Sequence, residues 1–487
     1  MNTHHLPIVL DRGSTLPLAV QLATALRQAI LGGTVRHDEP LPSTRALAAS
    51  VRVSRGTVVA AYDQLAGEGY LLARPGSATR VRVDRHEEAV PLPPAPARHR
   101  GTSAPDPAPG PHPRVIDLAP GHPSTRTLVD PAWTAAWRSA VAASGRSDSP
   151  PPTGTIELRT AIADHVRRAR GLTCSPHDVI VTAGTSDALA AIGLALASPA
   201  DAASEARAGA PRIAVEDPGY PTARRVLRRV GALLSPVPTD GTGVNLAALA
   251  AVSPAPHAVL VTPSHQYPLG SSLTVQSRLD LLAWASAAGA VVIEDDYDSE
   301  FRFGTAPLPA LATLDISGRV ALVGSFSKTV TPWIRCGYIV ATGALGDLLR
   351  EVRHDLGPSV SGVQQAALAR YLDSGGLALN IARVRREYAH RRALVIGRLG
   401  DLPGVRLTGL DGGLHVVVHI HPAGAADASA LVAQAAARGV RVASLADYAV
   451  VDRGQHGLVL GYGAPTDLEL SRALDVLVDL LTSAAAH

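Results

Sequence analysis

The sequence predicts a multidomain chain: a small N-terminal winged helix-turn-helix module (α+β), then a large α/β module that closes in a smaller C-terminal α+β subdomain from about residue 375. Three observations predict it. Nine prolines crowd residues 91–113 and separate residues 1–83 from residues 114–487. A stretch so rich in proline neither holds a helix nor pairs in a sheet, and it extends instead. At ~3.1 Å per residue the linker 84–113 reaches up to roughly 90 Å, so the flanking modules sit apart or cross to a partner subunit. Beyond it, short and nearly continuous apolar runs alternate with helical patterns, as in a mostly parallel sheet covered on both faces. Finally, the first 85 residues carry ten arginines against six acidic residues, although the whole chain nets only +3. The basic excess is concentrated where a nucleic-acid footprint belongs.

The 487 residues are 46% hydrophobic but only 3% aromatic, so Ala, Val and Leu must fill the core. Cys174 and Cys336 stand far apart without metal-ligand spacing, which predicts a cytoplasmic, disulfide-free protein. The first residues, Met1 to His5, lack the charged-then-apolar pattern of a signal. No apolar run is long enough to span a bilayer, so no membrane association is expected.

In the first module, residues 17–31 place apolar side chains at helical spacing and stop at Gly32-Gly33. Ser43 is a good N-cap for a second helix ending at Val51. After the short turn Arg52-Val53, Ser54-Arg55-Gly56-Thr57 opens a third helix through Ala66. In this order the last helix presents its N-terminal residues to base edges. Tyr70 to Val83 reads as a β-hairpin, the wing.

In the large module the expected strands are Val179–Thr182, Ile213–Val215, Ala258–Thr262, Ala290–Ile293, Val320–Val323 and Gly337–Ala341. Helical character fills 185–197, 221–231 and 274–288, and Leu414–Ile420 and Leu458–Tyr462 supply strands of the smaller subdomain. Functional residues of such sheets gather beyond the carboxyl ends of the strands. Gly184-Thr185, Asp217–Tyr220, His265–Gly270, Asp295–Tyr297 and Ser325–Lys328 all follow a strand.

Lys328 is the sole lysine, against 44 arginines. Arginine serves solubility, ion pairing and phosphate contact, but it does not give up its proton near neutral pH to attack a carbonyl carbon. A lysine amine does so once burial or a neighbouring cation lowers its pKa. Placed after an apolar strand, Lys328 is the candidate anchor for a carbonyl cofactor. His415, His419 and His421 alternate along one strand, a spacing that suits a solvated or satisfied face, and no metal site is expected.

The segments Pro42-Ser43-Thr44-Arg45-x-Leu47-Ala48, Val53-Ser54-Arg55-x-Thr57-Val58 and Ala61-Tyr62-x-x-Leu65-x-x-Glu68-Gly69-Tyr70 resemble the winged-helix domain of GntR-type transcriptional regulators. The resemblance implies double-stranded operator DNA as a partner. It places Arg45, Ser54, Arg55 and Thr57 at the DNA, Ser43 and Thr44 on phosphates, and Arg74 on the wing. Ser77-Ala78-Thr79-Arg80 departs from the family's Gly-then-aromatic wing, and Arg80 adds charge there.

The large module resembles the fold-type I, PLP-dependent aminotransferase-like domains, and behind a GntR-type head it is similar to the MocR subfamily of regulators. The resemblance implies pyridoxal 5′-phosphate (PLP) as a Schiff base on Lys328, with Asp295 at the pyridine nitrogen, Tyr297 at the 3′-oxygen and Tyr220 stacked on the ring. It assigns Ser325, Ser327, Arg335 and the Gly184-Thr185 helix start to the phosphate, and Gln266 to the loop bordering the 3′-oxygen. The family's substrate-carboxylate arginine near the last strand is missing from Gly457–Gly463, where Arg441 and Arg453 are the nearest candidates. Ser147–Gly154 also lacks the tyrosine that often reaches into a neighbouring subunit's site. The expected function is therefore a homodimeric, PLP-dependent transcriptional regulator. It would sense PLP itself, or an amine or amino-acid effector, and control vitamin B6 or amine metabolism. The alternative is a working aminotransferase with an accessory DNA-binding domain.

Overall fold

The computed structural model describes residues 10–11, 16–31, 34–35, 38–67, 70–72, 79–81, 115–145, 147–197, 209–303, 309–420, 428–454 and 456–485. These fall into two compact units, drawn from residues 1–115 with 466–472 and from residues 116–465 with 473–487. The linker 84–113, Arg74, most of the expected wing and His421 lie outside the described residues.

The first unit contains α1 (Leu18–Leu31), α2 (Thr44–Val51) and α3 (Arg55–Gly67). Ser43 caps α2, its Oγ accepting from the Ala46 amide at 3.2 Å. Arg52 takes up the left-handed conformation, φ 54°, and turns the chain into α3. Leu22, Leu26, Leu47, Val58 and Leu65 form the core between the three helices. Strands β1 (Leu71–Leu72) and β2 (Arg80–Val81) pair antiparallel as the described rungs of the hairpin.

The second unit runs through β3 (Ile116–Asp117), β4 (Val179–Thr182), β5 (Arg212–Asp217), β6 (Leu233–Asp240), β7 (Gly243–Val244), β8 (Ala258–Val261), β9 (Val291–Asp296), β10 (Val320–Ser325) and β11 (Gly337–Val340). Among the described residues, eight strands form one sheet in the order β4-β11-β10-β9-β8-β5-β6-β7. β10, β9, β8, β5 and β6 are mutually parallel, while β11 is antiparallel to both of its neighbours. Alternate strand residues enter opposite layers: Val181 and Leu322 join one core, Ile180, Ala321 and Val323 the other. This is why these strands read as unbroken apolar runs.

Strand β6 escaped the sequence reading because Pro236 and Pro238 interrupt it. Two residues apart, they withhold their donors on one side of the strand, and on β6 the strand β7 pairs only Thr239 and Asp240. The smaller subdomain holds the helix Gly376–Leu399 and β12 (Val405–Thr408), β13 (His415–Ile420), β14 (Val440–Arg441), β15 (Ala443–Ser444) and β16 (Gly457–Gly461). Its antiparallel sheet has the order β12-β13-β16-β15, and β14 pairs with β3. Among the described residues, no helix is long and apolar enough to cross a membrane.

Candidate cofactor cavity and nucleic-acid face

A cavity of about 880 Å³ opens beyond the carboxyl ends of the parallel strands. β9 delivers Asp295, with Tyr297 just past its end, and β10 delivers Ser325, then Ser327 and Lys328. β4 leads into Gly184 and Thr185 at the start of the helix Thr185–Ala197, Tyr220 follows β5, and Arg335 precedes β11. All of these line the one cavity.

Burial pushes the Lys328 amine below its ordinary pKa, against the pull of Asp298 and Asp295. That favours the neutral nucleophile. Its Nζ donates to the Gly121 carbonyl. Burial, followed by repulsion from Asp296, Glu216 and Asp298, drives the Asp295 carboxyl up to about 7. Asp295 Oδ1 is buried and has no hydrogen-bond partner. An orphaned buried acceptor costs about 1–3 kcal/mol, so it points to a donor that arrives with a ligand. A protonated pyridine nitrogen is such a donor.

Another part of the cavity lining suits a phosphate. The Ser327 amide donates to Ser325 Oγ at 3.1 Å, and Ser325 Oγ donates to Ser327 Oγ at 3.0 Å, which fixes both hydroxyls. The start of a 13-residue helix supplies amides and a positive dipole end. Arg335, exposed at the rim, is held at φ 38°, a left-handed conformation that costs a side-chain-bearing residue roughly 1–2 kcal/mol. Amine, buried carboxyl with an unpartnered oxygen, and anion pocket together fit PLP.

Gln266 is a correction. Its amide donates to the carbonyls of Pro218 at 2.9 Å and Tyr267 at 2.8 Å, and its Oε1 accepts from Leu269. The side chain is spent bracing its own loop and does not line the cavity. The neighbouring Tyr267 lines it instead, packed edge-on against Tyr220, Tyr297 and Tyr448 at 5.4–5.8 Å. The sequence signal was its place in the same loop, one residue from the wrong choice.

The two candidate carboxylate arginines, Arg453 and Arg441, have other partners. Arg453 pairs with the buried Asp217 at 2.6 Å, and Arg441 pairs with Asp117 at 3.1 Å. Neither lines the cavity. Asp217 further accepts from the Val450 and Val451 amides, and Arg224 donates to the Tyr448 carbonyl, so the Tyr448–Arg453 loop is clasped to the end of β5.

His415 lies on a satisfied face, not a solvated one: it is buried, with Nε2 on the Pro268 carbonyl at 3.0 Å. Burial, then the nearby His265, lowers its pKa to about 4. With His265 and Asp298 it forms a group of possible ligand atoms within 4.8 Å of one another, which strand spacing alone did not reveal.

On the head, Thr44 and Arg55 come together, Arg55 Nε donating to Thr44 Oγ1 at 3.3 Å. Ser54 Oγ sits 2.8 Å from Thr57 Oγ1 and accepts from the Thr57 amide, capping α3. Ser43, Arg45, Ser54 and Arg55 are exposed. Arg80 is engaged by Asp38, so its charge is partly neutralised on the hairpin.

A helix-turn-helix head and an aminotransferase-type body with a lysine-bearing cavity define a DNA-binding protein built on an amine-handling fold. Residues 18–81 match the gntR family of bacterial regulatory proteins, and residues 113–456 match aminotransferase class I and II. The chain is 40% identical over 480 residues to the HTH-type pyridoxine biosynthesis transcriptional regulator PdxR of Corynebacterium glutamicum, covering 98% of this chain and 99% of that one. It is 33% identical to the probable rhizopine catabolism regulatory protein MocR of Rhizobium meliloti, covering 93% and 92%. An archaeal alanine:glyoxylate aminotransferase shares the fold, with a TM-score of 0.68 at 22% identity over 76% of this chain and 91% of its own. This chain belongs to the MocR subfamily of GntR-type, PLP-dependent transcriptional regulators.

Proposed function

We propose that this protein is a cytoplasmic homodimer that reports PLP to a promoter. Residues 1–83 would read the operator, 84–113 would tether, and 114–487 would hold the vitamer. PLP, when bound, supplies an aldehyde that accepts amines and a ring that withdraws electrons. Lys328 would anchor it by its amine, Asp295 would hold the ring nitrogen's proton, and Tyr220 and Tyr267 would flank the ring. Ser325, Ser327, Arg335 and the Gly184-Thr185 helix start would bind the phosphate, and Tyr297 would donate to the 3′-oxygen. Arg45, Ser54, Arg55 and Thr57 would face base edges, and Ser43, Thr44 and Arg74 the backbone.

One observation carries the choice of signal: Arg453 and Arg441, the candidates for a substrate-carboxylate clamp, are committed to Asp217 and Asp117, and neither lines the cavity. The name of the 40%-identical relative supports vitamin B6 synthesis as the controlled pathway. An amine or amino-acid effector keeps one support, Arg225, which lines the cavity from the helix Pro221–Arg229. The test is electrophoretic mobility of the protein on its own upstream DNA. PLP should change the affinity of the wild type and not that of Lys328→Ala. A wild type indifferent to PLP, or a variant that responds equally, overturns the reading. Sustained amino transfer to a keto acid at ordinary enzymatic rates would favour the enzyme alternative.

A further inference from the structure

His265 and Asp298 sit beneath Tyr297, and no role has been given to them. Asp298 follows β9, and His265 belongs to the loop after β8. His265 Nδ1 lies 3.0 Å from Asp298 Oδ2, 3.2 Å from Asp298 Oδ1 and 2.9 Å from the Tyr297 hydroxyl. Both His265 and Asp298 are buried. One ring nitrogen therefore faces two oxygens, and one arrangement of protons leaves the Tyr297 hydroxyl free to donate elsewhere.

Two separate observations select it. Asp298 offers both carboxyl oxygens to the one nitrogen, 3.0 and 3.2 Å away, a geometry that suits accepting from Nδ1–H. His265 Nε2 is buried without a hydrogen-bond partner and faces the backbone of Gly270, where a Cβ would lie 3.1 Å away. A proton on Nε2 would be stranded there, whereas a bare lone pair costs less. Nδ1–H is then shared between Asp298 and the Tyr297 oxygen. Tyr297 is left as an acceptor on that side, and its own hydrogen is directed into the cavity that it lines. The chain also makes room for this pair. A Cβ at Gly413, φ +74°, would meet Asp298 Oδ2 at 2.3 Å and His265 Cε1 at 2.7 Å.

We infer that Asp298 and His265 are positioning residues that turn the Tyr297 phenol into a fixed, polarised donor towards the 3′-oxygen of bound PLP. The inference rests on the proposed placement of PLP in this cavity. A phenol that accepts one hydrogen bond gives a stronger one. A donor at the 3′-oxygen stabilises that oxygen's anionic form and so lowers the pH at which the bound vitamer changes its visible spectrum. The charged and titratable groups around the pair and Tyr297 include Asp295, Glu216, Lys328, His415, Tyr267 and Tyr462.

The test is a double-mutant cycle on full-length protein, reading the pH midpoint of the bound vitamer's absorbance and the PLP dissociation constant. Tyr297→Phe should move the midpoint upward by about one pH unit. His265→Phe and Asp298→Leu should each move it in the same direction by less, with weaker binding. On the Tyr297→Phe background neither should move it further. Single variants with an unchanged midpoint, or shifts that persist undiminished without the Tyr297 hydroxyl, overturn the inference. If one variant fails to fold, as judged by its thermal melt, the other decides. Wild-type protein that binds no PLP would instead remove the proposed function itself, a result distinct from either.

Discussion

In the head, Ser54 and Arg55 stand exposed at the start of α3 and bond to their neighbours Thr57 and Thr44. In the body, Asp295 is buried with an unpaired oxygen, and Lys328 is held below its ordinary pKa. The head keeps its groups solvated, so its gain on meeting DNA comes late, from counterion release and base contacts. The body has already incurred the desolvation, and a ligand with a matching donor and aldehyde recovers it. A surface that must leave one site and find another suits the first arrangement. A pocket that must discriminate one small molecule suits the second.

Replacing Lys328 by Ala tests the body end of this contrast hardest. It should abolish the visible absorbance of a protein–vitamer adduct altogether, while the α1–α3 core, measured by the melting of the head, stays as it was. Asp295→Asn comes next, with PLP affinity falling about ten- to a hundredfold, as for loss of a charge-assisted hydrogen bond. The same change should stabilise the apoprotein at alkaline pH. The folded Asp295 carboxyl titrates near 7, well above its unfolded value, so its contribution is present below about pH 4 and is lost as pH rises through 7. Thermal melts of apoprotein at pH 8 should therefore rank Asp295→Asn above wild type, and the reverse ranking would contradict the buried-carboxyl account.

At the head, Arg55→Ala should weaken binding to the specific operator by about 1–3 kcal/mol if it reads a base edge. A fall that is equal on non-specific DNA would move Arg55 to the backbone. Smallest is Ser54→Ala, which removes the cap of α3 and should lower head stability by about 1 kcal/mol in denaturant melts. A Ser54 variant as stable as wild type would mean the cap is replaced by water.

Lys328 was legible because composition isolates it: a sole lysine behind an apolar strand has few other uses. The strand ends were legible too, since apolar runs on β4, β9 and β10 give way to the polar segments Gly184-Thr185, Asp295–Tyr297 and Ser325–Lys328. Gln266 and Tyr267 were not separable, because adjacent loop residues differ in direction and only folding decides which one faces the cavity. His265 and Asp298 lie 33 positions apart in the chain, and no spacing rule connects them. The fates of Arg441 and Arg453 were equally hidden, since their partners Asp117 and Asp217 come from distant strands.

The most direct test of the central claim is reduction of wild-type protein with borohydride in the presence of PLP, followed by peptide mapping. A single phosphopyridoxyl adduct on the peptide that carries Lys328 is the predicted result. An unmodified Lys328 peptide, or a label confined to the amino terminus, would contradict the account.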